Sequence, residues 1–453
     1  MKQHYGEPER LKTGKIMGND VTIVVLDDDP TGTQTVHGIS VLTRWETPLL
    51  REQFKAGVPL FYILTNSRSL PEPAARALAT DIGQAIRQAA ADTGRQVLLI
   101  SRSDSTLRGH FPAEVDALAE AAGLDDPLIV LAPAFIEGGR ITEDDIHYIE
   151  ENGHRTPVSE TPFARDPAFA YQHANLRDWV LEKSKGSIAP DAIISLSLDA
   201  IRTKPTAELA SDILSQPQAS ILVINALTYE DLEAVSKVLW TVRKSGRTIL
   251  LRSAASIVRT LAGLSPKPLL TKGDLLNGQS RTGGLIIAGS FVPKTTQQLA
   301  YLNEHSPLPV LEVNVADALT DSPACSARIV REVDAYLEQG QTVLVQSERQ
   351  LVTGDRPEES LAIGQRVSGT LVDIVKGLRV LPSFIIAKGG ITSSDLATKG
   401  MGVRVARVIG QIIPGVPVWE AEPGNRFHGI PYVVFPGNVG DEKALVDVLH
   451  KLQ

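Results

Sequence analysis

The chain has 453 residues, 43% of them hydrophobic and 22% charged, with a formal net charge of −8. That is enough chain for two or three globular domains of ordinary composition. The acidic balance, with a pI near 5.7, excludes the basic footprint that nucleic acid requires, but it leaves room for a small anion in a local basic pocket.

No apolar run approaches membrane-spanning length, so no membrane is expected as a partner. The single cysteine, Cys325, cannot form an intramolecular disulfide, which suits a cytoplasmic protein. Residues 1–20 have no apolar h-region and read as a flexible N-terminal tail.

The first predicted strand, VTIVVL (21–26), runs directly into Asp27, Asp28 and Asp29, then Pro30, Thr31 and Gly32. Packed carboxylates disfavour one another's ionisation, so three at a strand's carboxyl end point to a ligand site. A single Asp before Pro30 would read as a helix N-cap or an Asx-turn. The predicted strands LFYIL (60–64) and VLLIS (97–101) also end in polar clusters. The first carries Ser67 and Arg68; the second carries Asp104, Ser105, Thr106 and Arg108. Arginine's planar fork matches a carboxylate, and hydroxyls with aspartates match a polyol. Together they describe a site for a small anionic polyhydroxy acid. Each arginine alone would equally serve as the ion-pair partner of a neighbouring Asp.

Further strands are predicted at 128–132, 192–198, 221–225 and 248–252. Amphipathic helical patterns lie between several of them, one closing on Gly246. The segment 136–180 has weak periodicity and many charges, and reads as a long functional loop or lid. Pro, Gly and polar residues mark a linker at 266–283. The strand–helix rhythm then restarts with strands in 284–290, 342–347, 384–390 and 432–438. This alternation predicts two α/β domains with largely parallel sheets, over 21–265 and 284–453.

The second domain carries three glycine-bearing strand ends. They are Gly289 with Ser290; Lys388, Gly389 and Gly390 before a helix capped by Thr392 or Ser393; and Gly437 with Gly440 before a helix capped by Asp441. Backbone N–H groups at such turns favour phosphate. No Walker A loop and no G-x-G-x-x-G follows a strand. The histidines show no zinc-ligand spacing.

Two resemblances bear on these residues. Asp27, Asp29 and Thr31 resemble the first motif of haloacid-dehalogenase-type phosphatases, which implies an aspartyl-phosphate intermediate. That likeness leaves the second domain unexplained. More broadly, DDDPTGTQ, TNSRS, DSTLRGH, APAFIEGGR and PVSETPFARDP resemble the four-carbon acid sugar kinase family, over nearly the whole chain from about residue 20. The family's first motif is matched at Asp28, Asp29, Thr31 and Gly32, while Pro30 and Thr33 depart from it.

This second resemblance implies a sugar-acid-binding first domain and a nucleotide-binding second one, two α/β domains facing each other across a cleft, using ATP and Mg²⁺ to phosphorylate threonate, erythronate or 3-oxo-tetronate. It implies catalysis by Asp28 or Asp29. The acid would be held by Asp28, Arg68, Asp104, Ser105, Thr106 and Arg108, with Arg140 and Glu160 on a substrate-side loop. Nucleotide would be bound by Ser290, Lys388, Gly389, Gly390, Ile391, Thr392 and Gly437. No Mg²⁺ ligands and no oligomeric state can be read. A non-catalytic sensor of acid and nucleotide is the remaining alternative.

Overall fold

A computed structural model describes residues 21–276, 282–290, 292–349 and 357–453. The expected tail at 1–20 and residues 277–281 of the expected linker lie outside the described residues. The strands are β1 (Val21–Asp27), β2 (Ser40–Leu42), β3 (Leu60–Leu64), β4 (Gln96–Arg102), β5 (Leu128–Ala132), β6 (Arg140–Glu143), β7 (Ile146–Glu151), β8 (His154–Pro157) and β9 (Ile193–Leu196). They continue as β10 (Ile221–Ile224), β11 (Ile249–Ser253), β12 (Leu285–Ala288), β13 (Val310–Val313), β14 (Val343–Ser347), β15 (Ile385–Lys388), β16 (Val405–Ile413), β17 (Val416–Ala421) and β18 (Tyr432–Phe435).

The chain forms two compact units that are interleaved in sequence. The first takes residues up to Leu26, Glu46–Phe61 and Ala75–Pro266. The second takes Asp27–Trp45, Tyr62–Ala74 and Lys267–Gln453. Thus β1 and β3 begin in the first unit, and their acid- and arginine-bearing ends belong to the second.

In the first unit, β4, β11, β5, β10 and β9 pair in that order, all parallel. All seven residues of β1 are buried, as a strand covered on both faces requires. The helix Glu72–Thr93 buries Ala75, Ala79, Ile82 and Ile86 on one face, a helical repeat of apolar positions. The helix Tyr229–Lys244 opens on a Thr228–Asp231 capping box. Residues 136–180 are not a long loop. They hold the antiparallel meander β6–β7–β8 and the helix Leu176–Ser184. The alternation that would show these strands is masked by exposed charge in β7 and β8.

In the second unit, β13, β14, β12, β15 and β18 pair in that order and parallel. Antiparallel β17, β16 and β2 extend the sheet beyond β18. The core gathers Ile286, Leu299, Leu344, Phe384, Ile386 and Phe435, among others. Each large apolar side chain buried this way contributes about 1.5–3 kcal/mol. The expected apolar face of the last helix is observed, with Ala444, Leu445, Val448, Leu449 and Leu452 all buried. No helix among the described residues is long and apolar enough to cross a membrane.

Candidate active site

Three parallel strands of the second unit end in register. Ala288 of β12 stands opposite Lys388 of β15, and Lys388 opposite Phe435 of β18. The turns that follow, at Gly289, Gly389 and Pro436, therefore leave the sheet at one level. This is the carboxyl edge, where open α/β sheets take ligands. The turns converge on Ser290. A methyl group on Gly389 would lie 2.8 Å from Ser290 Cβ, one on Gly437 would lie 3.2 Å from Ser290 Oγ, and one on Gly289 would lie 2.6 Å from Thr392 Oγ1. Gly389 also has φ +115°, a conformation that L side chains rarely adopt. The structure thus brings Ser290, Gly389, Thr392 and Gly437 together.

Side chains secure these turns from behind. Lys388 is wholly buried and is no surface lysine. Its Nζ donates to Pro436 O at 2.5 Å and stands 4.1 Å from the Phe435 ring centre. Burial, reinforced by the charge of Lys294, pushes its pKa down to about 7. Arg349 Nη1 donates to Ser290 O at 2.6 Å and its Nη2 to Thr296 Oγ1 at 2.6 Å. The sequence reading missed Arg349, although arginine shortly after the strand 342–347 repeats the pattern seen at Arg68.

Helix capping differs from expectation. The helix Gly390–Asp395 starts after Gly389 without a side-chain cap. Ser393 lies inside it, its hydroxyl 2.7 Å from Gly389 O. Asp441 accepts from Lys443 N at 3.1 Å, and the last helix begins only at Ala444. Ile391 is 56% exposed beside the turns.

The three aspartates after β1 belong to this same unit, and each has a different setting. Asp27 is buried, its carboxylate packed under Gly32, which leaves an aspartyl-phosphate mechanism without an accessible nucleophile. Asp28 is 3% exposed and gripped by the Arg68 fork, with Nε to Oδ2 at 3.1 Å and Nη2 to Oδ1 at 2.5 Å. Asp29 is 17% exposed. Its Oδ1 accepts from Thr31 N at 2.8 Å, capping the turn Pro30–Thr35, and its Oδ2 lies 3.5 Å from Arg68 Nη1. A methyl on Gly390 would lie 2.6 Å from the same Oδ2, so only glycine lets the 388–392 turn approach this carboxylate. Trp419 Nε1 fixes the Pro30–Thr35 turn by donating to Thr33 Oγ1 at 2.9 Å.

In the first unit, Asp104, Ser105, Thr106 and Arg108 follow β4 in one tight loop. Asp104 Oδ2 accepts from the Thr106 hydroxyl and, at 2.6 Å, from Arg108 Nε. Arg108 Nη1 also meets Asp166 Oδ2 at 3.2 Å, and its guanidinium stands 5.0 Å from the Phe163 ring centre. Arg140 is buried, and desolvation lowers its pKa against the opposing pull of Asp104. Glu160 lines a cavity of about 440 Å³ with Ile149, Glu151, His154 and Phe163 among its walls. That lining has no lysine or arginine and does not suit an anion.

The glycine cradle around Ser290 fits a polyphosphate, because backbone can approach it closely. Among the described residues, no group of three or more His, Cys, Asp or Glu side chains is placed to hold a metal ion. Mg²⁺ in phosphoryl-transfer sites needs only one or two carboxylates besides phosphate oxygens, and of the three strand-end aspartates Asp29 is the one that is not buried.

Two family models match the chain, and the first spans segments, Asp27–Trp45 and Tyr62–Ala74, that pack with the second unit. Residues 23–261 match the sugar-binding N-terminal domain family, and residues 285–445 match the nucleotide-binding C-terminal domain family. A D-erythronate kinase of Heliobacterium modesticaldum is 25% identical over 93% of this chain and 95% of its own length. A D-threonate kinase of Bordetella bronchiseptica is 25% identical over 94% of this chain and 96% of its own. Two solved structures share the fold. One, the Haemophilus influenzae protein HI1011, has TM-score 0.63 and 17% identity; the other, from Salmonella typhimurium LT2, has TM-score 0.69 and 18% identity. Each covers 95% of this chain and all of its own.

Proposed function

We propose, for a chain that belongs to the four-carbon acid sugar kinase family, that it transfers the γ-phosphoryl group of ATP to a hydroxyl of a four-carbon sugar acid of the erythronate, threonate or 3-oxo-tetronate type. The observation that carries this reading is the Asp29 carboxylate lying against Gly390. It sets a carboxylate beside a glycine turn built for phosphate, within one compact unit.

In this reading the turns at Ser290, Gly390, Thr392 and Gly437 hold the triphosphate by backbone N–H groups, while Gly389, whose own N–H donates to Phe435 O at 2.8 Å, leaves room for its approach. Lys388 secures the Pro436 turn from beneath. Ile391 gives the base an apolar surface. Mg²⁺ supplies charge neutralisation on the phosphate oxygens. Asp29 accepts the proton of the attacking hydroxyl. Asp28 orients that hydroxyl, and Arg68 holds Asp28 in place. Asp104, Ser105, Thr106 and Arg108 bind the acid's hydroxyls and carboxylate.

A panel of four-carbon acids incubated with the protein and ATP-Mg²⁺, with ADP release followed by a coupled assay, tests this. ADP release that depends on one acid supports the kinase. Binding of acid and nucleotide without turnover would make the protein a sensor. Phosphate release from sugar phosphates without ATP would make it a phosphatase.

A further inference from the structure

The loop at residues 104–108 is held from behind by side chains distant in sequence. His147, on β7, is fully buried, with Nε2 2.7 Å from Ser105 O and Nδ1 2.9 Å from Thr142 Oγ1. A carbonyl can only accept, so the ring proton sits on Nε2 and the Thr142 hydroxyl donates to Nδ1. Burial pushes the imidazole pKa down to about 4, so this neutral tautomer persists across the physiological range. One residue along, the buried Tyr171 hydroxyl donates to Thr106 O at 2.8 Å. Asp166, on the same side of the sequence, meets Arg108 Nη1.

Two consecutive carbonyls are therefore drawn toward buried donors. In a trans peptide the next N–H lies opposite the carbonyl, so the Thr106 N–H is turned away from His147. Leu107 follows at φ +68° and donates its N–H to Asp104 O at 3.2 Å. The loop is closed and its peptide planes are set from outside.

We propose that His147 and Tyr171 are positioning residues for the acid substrate: they fix the backbone of residues 104–108, and with it the reach of Arg108, without touching the ligand. This rests on the reading of that loop as the acid-binding loop.

The test uses the whole protein with Tyr171→Phe, His147→Gln and His147→Ala. Two readouts are taken: steady-state kinetics with acid and ATP varied in turn, and hydrogen–deuterium exchange of the loop amides. Tyr171→Phe should raise KM for the acid about tenfold, the worth of one hydrogen bond to a buried carbonyl, and leave KM for ATP unchanged. Amide exchange at 104–108 should quicken. His147→Gln, which keeps a donor, should retain more acid affinity than His147→Ala. Equal rises in both KM values, or unchanged exchange in a folded Tyr171→Phe protein, overturn the proposal. Wild-type protein that turns over no four-carbon acid overturns the function instead; the exchange data then still report whether the two side chains hold the loop. If Tyr171→Phe fails to fold, the Gln–Ala contrast at position 147 decides.

Discussion

Around Ser290 the chain offers backbone. Side chains there are missing, as at Gly289, Gly389 and Gly437, or point at carbonyls behind the turns, as Lys388 and Arg349 do. At residues 104–108 the chain offers side chains, and the backbone is tied down through Ser105 and Thr106. A polyphosphate is read well by N–H groups and needs close approach. A small polyol acid needs directional donors and acceptors, which are useful only if the loop bearing them is held still.

Within the second unit Asp29 combines both kinds of design, a side chain set against a glycine turn, and the contrast breaks most sharply there. Asp29→Asn is expected to lower kcat about 10²–10⁴-fold, the range for a lost general base, with ATP affinity by titration calorimetry little changed. Retained turnover would move the proton to Asp28 or to water.

Gly390→Ala comes next. Its methyl meets Asp29 Oδ2 at 2.6 Å, so carboxylate or turn must shift. We expect kcat/KM for ATP to fall about tenfold to a hundredfold, as small misplacements near the chemistry do. An unchanged value would show that the approach of the two is incidental.

Lys388→Met sharpens the contrast from the stability side. The folded pKa near 7 lies below the 10.5 of an ordinary lysine. Between these values the unfolded chain holds the extra proton, so stability rises with pH across this window; below about 7 the cost of burying the charge is fully present. Urea unfolding at about pH 7 and pH 10 should show this gain in wild type and a smaller one in Lys388→Met.

Gly437→Ala should be mildest. Its methyl would stand 3.1 Å from Val292 Cγ2, a contact that a few tenths of an ångström relieve. KM for ATP should rise about threefold, a cost below that of severe overpacking.

Most of the parallel strands were legible because each is a short continuous apolar run between turn residues, as at 221–225; β13, whose run is broken by Glu312, was not. The glycine turns were legible for the same reason: they end such runs. Antiparallel β16 and β17 went unnoticed, although β16 alternates buried and less buried residues along Val405–Ile413, a period-two signal overshadowed by neighbouring loops. The clasp of Asp28 by Arg68 spans 40 residues; the strand-end pattern brought both to one site but assigned Arg68 to the acid rather than to Asp28. His147 was set aside as one histidine without ligand spacing. Its contact with Ser105, 42 residues away, is a product of the meander's packing, which no local pattern encodes.

The interleaving of the chain limits how this molecule can be cut. A fragment beginning at Lys267 would contain most of the second unit but not Ser40–Leu42, leaving the edge of Val405–Ile413 without its neighbour. It would also strip Trp419 of the Thr33 hydroxyl. The nucleotide-side unit is therefore not a cassette: truncation or domain recombination at the apparent linker would separate a fold from two of its own pieces.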